Sequence, residues 1–232
     1  MDISDEKLQK LGKMSSYGII KGTNLYFGSY SKGDDESIID YGYCFEEAVL
    51  ELNSHQIGTC WLGGTFGRSF ISDALSLPID YVVPAISPVG LIADKKSFTD
   101  KLVRKIAKAA KRKSYQELFF EKNKEGELLP LFENDISSNL KIILDGIRVA
   151  PSASNKQPWR VIVNNRTINI YWEKDEKYNG TSKGFNIQAL DMGITICHIE
   201  KVLNDLSIDF EFKNSDPGLG IDKWIYIGSC NF

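Results

Sequence analysis

Residues 149–159, Val-Ala-Pro-Ser-Ala-Ser-Asn-Lys-Gln-Pro-Trp, concentrate short hydrogen-bonding side chains and few apolar ones. Pro151 and Pro158 each fix a backbone angle, while Ser152, Ser154, Asn155 and Gln157 offer hydroxyl and amide groups. The stretch therefore predicts a rigid polar corner ahead of the apolar run 159–163, able either to grip a ligand or to cap its own backbone. A second candidate is the loop 56–66, whose glycines let backbone N–H groups approach a bound group while Cys60, Trp61 and Leu62 keep it dry. The third is basic. Residues 97–113 predict a helix with Leu102, Val103, Ile106 and Ala110 apolar, ending in Lys111, Arg112 and Lys113. That run is either a solvated face or a phosphate clamp, in which the Arg112 fork grips phosphate oxygens and Lys113 adds a point charge.

These residues need a scaffold to position them. Residues 18–20 and 25–30 are β-branched and aromatic around turn chemistry at 21–24, and predict a hairpin. A short surface helix opening at Ser4 is also predicted, its charges acidic first and basic later. Helical spacing of Ile38, Tyr41, Phe45, Ala48, Val49 and Leu52 predicts a helix from Asp34 to about Asn53, and Gly42 inside it implies close packing of another helix. A short helix from Arg68, an apolar strand over 81–89, a helix over 136–149 and a hairpin formed by 159–163 and 167–172 follow. Residues 185–206 predict a long helix that is apolar almost all round and so buried on most sides; His198 within it reads as a satisfied core histidine. Strands over 208–212 and 224–227 close the chain.

The string Pro-Ser-Ala-Ser-Asn-Lys-Gln-Pro-Trp resembles the flavin-binding segment of the nitroreductase family, matching it at Pro151, Ser152, Asn155, Gln157, Pro158 and Trp159. Residues 191–200 and 112–120 look like the single-chain TM nitroreductase branch, in which two nitroreductase-like halves are fused. The resemblance implies an α+β nitroreductase-like fold, an internal pseudo-dimer with antiparallel sheets around central buried helices. It implies FMN held by Pro151, Ser152, Ala153, Asn155 and Gln157, with Trp61, Leu62 and Gly63 against the ring and Arg112 and Lys113 on the phosphate. It implies an enzyme that passes hydride from NADH or NADPH through FMN to a nitroaromatic, quinone or related acceptor, with no catalytic side chain and no metal. One departure stands out: the family's N-terminal Arg-x-Ser-x-Arg-like phosphate grip has no counterpart before Tyr17, where Ser15 and Ser16 stand without arginines. Residues 111–113 then hold the phosphate alone, FMN binding has weakened, or the true start lies upstream. A non-catalytic flavin- or small-ligand-binding protein that retains the fold is the alternative.

Composition agrees with a small-molecule protein. The 232 residues are 42% hydrophobic with a net charge of −3, enough to bury a core and too weakly charged to attract nucleic acid or membrane. The four cysteines, Cys44, Cys60, Cys197 and Cys230, show no metal or disulfide spacing, and no signal segment or membrane-length apolar run occurs, so a cytoplasmic protein is expected. Laying Asp40 on Asp191 also aligns Gly42 with Gly193, Leu52 with Leu203, Asn53 with Asn204 and Ile57 with Ile208, which points to an internal repeat. The expected organisation is a first half over residues 1–120, a connector over 121–134 and a second half over 135–232, forming a monomer with one flavin site.

Overall fold

The computed structural model describes residues 23, 25–64, 66–92, 111–178 and 184–232. The helix expected from Ser4, the strand over 18–20 and all but the end of the basic helix lie outside the described residues. In chain order the elements are β1 (Leu25–Gly28), β2 (Ser31–Lys32), α1 (Asp35–Ser54), β3 (Ile57–Thr59), α2 (Arg68–Ala74), β4 (Tyr81–Val82) and β5 (Ile86–Leu91). There follow α3 (Tyr115–Leu118), β6 (Phe119–Lys122), β7 (Leu128–Pro130), α4 (Ser138–Val149), β8 (Trp159–Asn164), β9 (Thr167–Trp172), α5 (Ile187–Asp205), β10 (Glu211–Lys213) and β11 (Ile225–Asn231).

Two long helices form the centre. The Asp34 carboxylate caps α1 by accepting the Ser37 N–H at 2.8 Å, and Asp35 and Glu36 complement the helix dipole. Ile38, Tyr41 and Phe45 are its buried stripe. α5 is buried over most of its circumference, Ala189, Met192, Cys197, Ile199 and Leu203 all being fully enclosed. The two pack so closely that a Cβ on Gly42 would lie 2.3 Å from the Leu190 carbonyl oxygen, and one on Gly193 would lie 1.9 Å from that of Ile39. Only glycine permits this approach. The expected reason for Gly42 is therefore the observed one.

Two larger sheets and a two-stranded ribbon surround this pair. The three-stranded sheet has the order β1-β5-β3, all antiparallel, so β1 pairs with β5 some sixty residues on. The six-stranded sheet has the order β10-β11-β9-β8-β6-β7. Its pairs are antiparallel except β6 with β8, which run parallel because α4 crosses over between them. The β8–β9 hairpin turns through Asn165 at φ 53°, a conformation asparagine tolerates. Residues 121–134 hold more order than a plain connector, since the end of β6 pairs with β7 in that sheet. One core contains Phe45, Leu118, Ile143, Ile147, Trp159, Ile170, Leu190 and Leu203, uniting α1, α3, α4, α5, β8 and β9. Fully burying each such side chain contributes roughly 1.5–3 kcal/mol.

Candidate flavin site

The polar corner follows the C-terminus of α4, where Ala150 leaves the helix, and passes through a single 3-10 turn, Ala153–Asn155. Ser154, Asn155 and Gln157 have φ of 49°, 54° and 50°, a left-handed conformation that L-residues adopt at a cost. Strain of this kind persists only where the surroundings hold it. Here the Gln157 N–H donates to Ser152 Oγ at 2.9 Å, the Ala153 N–H to Asp191 Oδ1 at 2.8 Å, and Ser154 Oγ meets Tyr178 OH at 2.8 Å.

The basic run joins this corner directly. Arg112 Nη1 donates to Asn155 Oδ1 at 3.3 Å and Nη2 to the Val149 carbonyl at 3.0 Å. That carbonyl is one of the last four of α4 and has no helical partner, so the guanidinium also caps the helix. Gln157 Oε1 accepts the Lys113 N–H at 2.9 Å, and Lys113 Nζ donates to the Gln157 carbonyl at 3.3 Å. Residues 111–114 carry no helix, and Ser114 is extended, which corrects the expectation of a helix through Lys113. The cause is local. The Lys111 carbonyl accepts from Asn155 Nδ2 at 2.7 Å and the Lys113 N–H goes to Gln157, so side chains of the corner replace the helical ladder. Burial holds the Lys113 ammonium below its ordinary pKa, and nearby Arg160 pushes it the same way. Burial likewise lowers Arg112, with Arg148 adding to the shift.

The Trp61–Gly63 loop is anchored differently. Leu62 bridges Ile86 through both backbone groups, at 2.9 and 3.1 Å, and its side chain is buried with Phe66, Ile71, Val83 and Ile86. Trp61 Nε1 donates to Glu46 Oε2 at 2.8 Å and its ring lies 4.3 Å from that of Phe45. A Cβ on Gly63 would be 3.0 Å from Ile187 Cδ1. Ile187 and Asp191 are four residues apart on α5, hence on one face, about 6 Å along its axis. The loop at Gly63 and the corner at Ala153 thus abut successive turns of the same helix.

Three residues that sequence reasoning missed support these parts. Arg68 donates to the carbonyls of Val83, Gly63 and Pro84 at 2.7, 2.8 and 3.1 Å and lies over the rings of Phe66 and Phe185, fixing the Gly63 end of the loop. Arg160, buried beneath the corner, donates to the Gln157 carbonyl at 3.0 Å and pairs with Glu173. Asp191 is 1% exposed, its Oδ2 without a hydrogen-bond partner among the described residues, and burial holds its carboxyl well above the usual carboxylate range. Charged residues in apolar helices were the available signal for Asp191. Arg68 and Arg160 gave none.

A central helix pair, a six-stranded and a three-stranded sheet, and a corner on the helix shared by both loops define a mixed α+β nitroreductase-like fold. The family described as "Putative TM nitroreductase" matches residues 3–202, and the chain belongs to it. A crystal structure from Thermotoga maritima, described as a "putative nitroreductase", is similar at a TM-score of 0.55 and 16% identity, over 99% of this chain and 84% of that one. Among curated proteins none matches. Among the described residues no helix is long and apolar enough to cross a membrane, and no cluster of three or more His, Cys, Asp or Glu could hold a metal ion.

Proposed function

We propose that this protein is an FMN-dependent oxidoreductase that takes hydride from NADH or NADPH and delivers it to a small acceptor such as a nitroaromatic or quinone. The observation that carries this reading is the meeting of the corner 151–157 with Arg112 and Lys113 in one hydrogen-bonded unit, next to the helix turn that abuts Gly63. The residues present fit FMN. Arg112 and Lys113 supply two cations beside the corner, the Ser152 hydroxyl keeps its own proton to donate while accepting from Gln157, and Asp191 Oδ2 is a buried polar atom in need of a partner. Bound FMN would supply the electron-carrying ring. Pro151, Ser152, Ala153 and Asn155 would orient it, Gln157 would hold the basic run against the corner, Trp61 and Gly63 would shield one edge from water, and Leu62 would anchor them.

The reciprocal glycine contacts support a fused pair of halves. Gly42 sits on Leu190 and Gly193 on Ile39, and the shift that lays Asp40 on Asp191 also lays Ile39 on Leu190. Such mutual exchange is the signature of a two-fold contact. Residues 1–120 and 135–232 would then stand as the two halves, giving a monomer with one flavin site.

A second reading, a flavin- or small-ligand-binding protein without turnover, is favoured by one observation: the side-chain amides of Asn155 and Gln157 are already engaged with residues 111–113. The double variant Ser152→Ala, Asn155→Ala tests the site. Loss of copurifying or added FMN with the fold intact supports the proposal, and undiminished FMN binding refutes it.

A further inference from the structure

Glu46, 2% exposed, is enclosed between the two central helices, and its two oxygens face different partners. Oε1 lies 3.0 Å from His198 Nε2 on α5, and Oε2 accepts the Trp61 indole N–H at 2.8 Å. The other ring nitrogen, His198 Nδ1, lies 3.0 Å from the carbonyl oxygen of Gly146. Gly146 is in the last turn of α4, where carbonyls lack a helical partner, and the Ala150 N–H turns to Ile147 instead.

The protons on this chain can be assigned from its ends. A carbonyl only accepts, so Nδ1 carries a hydrogen; an indole N–H only donates, so Oε2 is an acceptor. Between Nε2 and Oε1 there must then be one proton, held as imidazolium and carboxylate or as imidazole and carboxylic acid. Without it two lone pairs would face each other at hydrogen-bond distance.

The neighbouring groups are committed elsewhere. Lys201 on α5 pairs with Glu47 on α1 at 2.7 Å, and Tyr43 OH donates to Glu200 at 2.6 Å. Burial, reinforced by the Glu46 charge, pushes the Cys197 thiol up to about 12, so it stays protonated.

We propose that His198 and Glu46 are a proton-sharing pair of positioning residues that fixes the Trp61 indole, and with it the edge of the flavin pocket. The last clause rests on the reading of Trp61 as a ring contact; the link from His198 through Glu46 to Trp61 does not. Removing His198 would leave a buried, singly paired carboxylate, which would turn to water and abandon the indole.

The flavin-free protein tests the link. Its four tryptophans give four indole N–H signals, and that of Trp61 is the one absent from Trp61→Phe. In His198→Leu, hydrogen exchange at the Trp61 indole is expected to accelerate about tenfold or more, as loss of one hydrogen bond allows, while the buried Trp159 and Trp172 keep their rates. Glu46→Gln should stay close to wild type, because glutamine accepts from Trp61 and donates to neutral His198. Should the single leucine variant unfold, the pair Glu46→Leu, His198→Leu replaces both polar partners and preserves the fold, again with fast exchange at Trp61. Unchanged exchange in these variants overturns the proposal. FMN titration then addresses the pocket: about tenfold weaker binding to the double leucine variant, with Glu46→Gln near wild type, is expected. Equal FMN affinity despite fast exchange overturns the pocket clause, whereas failure of the wild type to bind FMN refutes the function and leaves the exchange result to judge the link.

Discussion

The Ala153 N–H donates to Asp191 Oδ1 at 2.8 Å, tying the polar corner to the second turn of α5 through a carboxyl that water barely reaches. Burial raises this carboxyl's pKa, and the Ala153 bond only partly opposes it. The folded protein therefore holds the proton more tightly than the unfolded chain does. The stabilisation is full below the unfolded value of about 4 and is lost as pH rises through the folded value.

Asp191→Asn keeps an acceptor for Ala153 and cannot ionise. It is expected to be at least as stable as wild type at pH 8 and to flatten the decline of stability with pH. Asp191→Ala strands the Ala153 N–H and should cost about 1–3 kcal/mol at either pH. Urea unfolding at pH 5 and pH 8 measures both; an Asn variant clearly weaker than wild type at pH 8 would argue against a protonated Asp191.

The Gly42–Gly193 contact admits no side chain. Gly193→Ala forces a carbon to 1.9 Å from the Ile39 oxygen and 2.6 Å from the Tyr43 nitrogen, all backbone, so the helices must separate. A loss of about 3 kcal/mol or more is expected, against the gain of about 1 kcal/mol that alanine's helix propensity brings at an open site. Gly42→Ala should follow it closely. Denaturant midpoints check this, and a change below about 1 kcal/mol would mean that the helices are not held at this distance.

The helices were legible because their evidence is local. Ile38, Tyr41 and Phe45 at helical spacing, the Asp34 cap and the apolar circumference of residues 187–205 name their elements without reference to the rest of the chain. The β8–β9 hairpin was legible for the same reason. Pairings between distant segments were not: nothing in Leu25–Gly28 points to Ile86–Leu91, and nothing in 121–134 announces a β6–β7 hairpin beside β8. The break in the basic helix did leave a signal, since Ser114 and Glu117 form a capping box that starts α3. In the site, Ser152, Asn155 and Gln157 were visible by residue type, and the bonds of Asn155 and Gln157 to residues 111–113 were not, because those depend on a contact over some forty residues. His198 was expected to be satisfied in the core, and its partners prove to be Gly146 and Glu46.

On the proposed reading Arg112 and Lys113 would hold the FMN phosphate, which riboflavin lacks. Arg112→Ala should weaken FMN binding about tenfold or more, as expected for a lost charge-assisted contact, and leave riboflavin binding nearly unchanged. A bound phosphate would also reverse the downward shift that burial imposes on Lys113. FMN affinity should therefore fall as pH rises through the value of this depressed ammonium, and Lys113→Met should remove that limb. Titration by flavin fluorescence quenching at several pH values decides it; equal losses for FMN and riboflavin would move Arg112 from the phosphate to the corner's scaffold.

The central claim is that this corner holds a flavin that nicotinamide reduces. The direct measurement is the visible absorbance of the purified protein after loading with FMN and desalting, followed by anaerobic addition of NADH or NADPH. Flavin bands that remain with the protein and bleach with either nicotinamide are the predicted result. A protein that emerges colourless after loading, or one whose bound FMN neither nicotinamide reduces, would contradict the account.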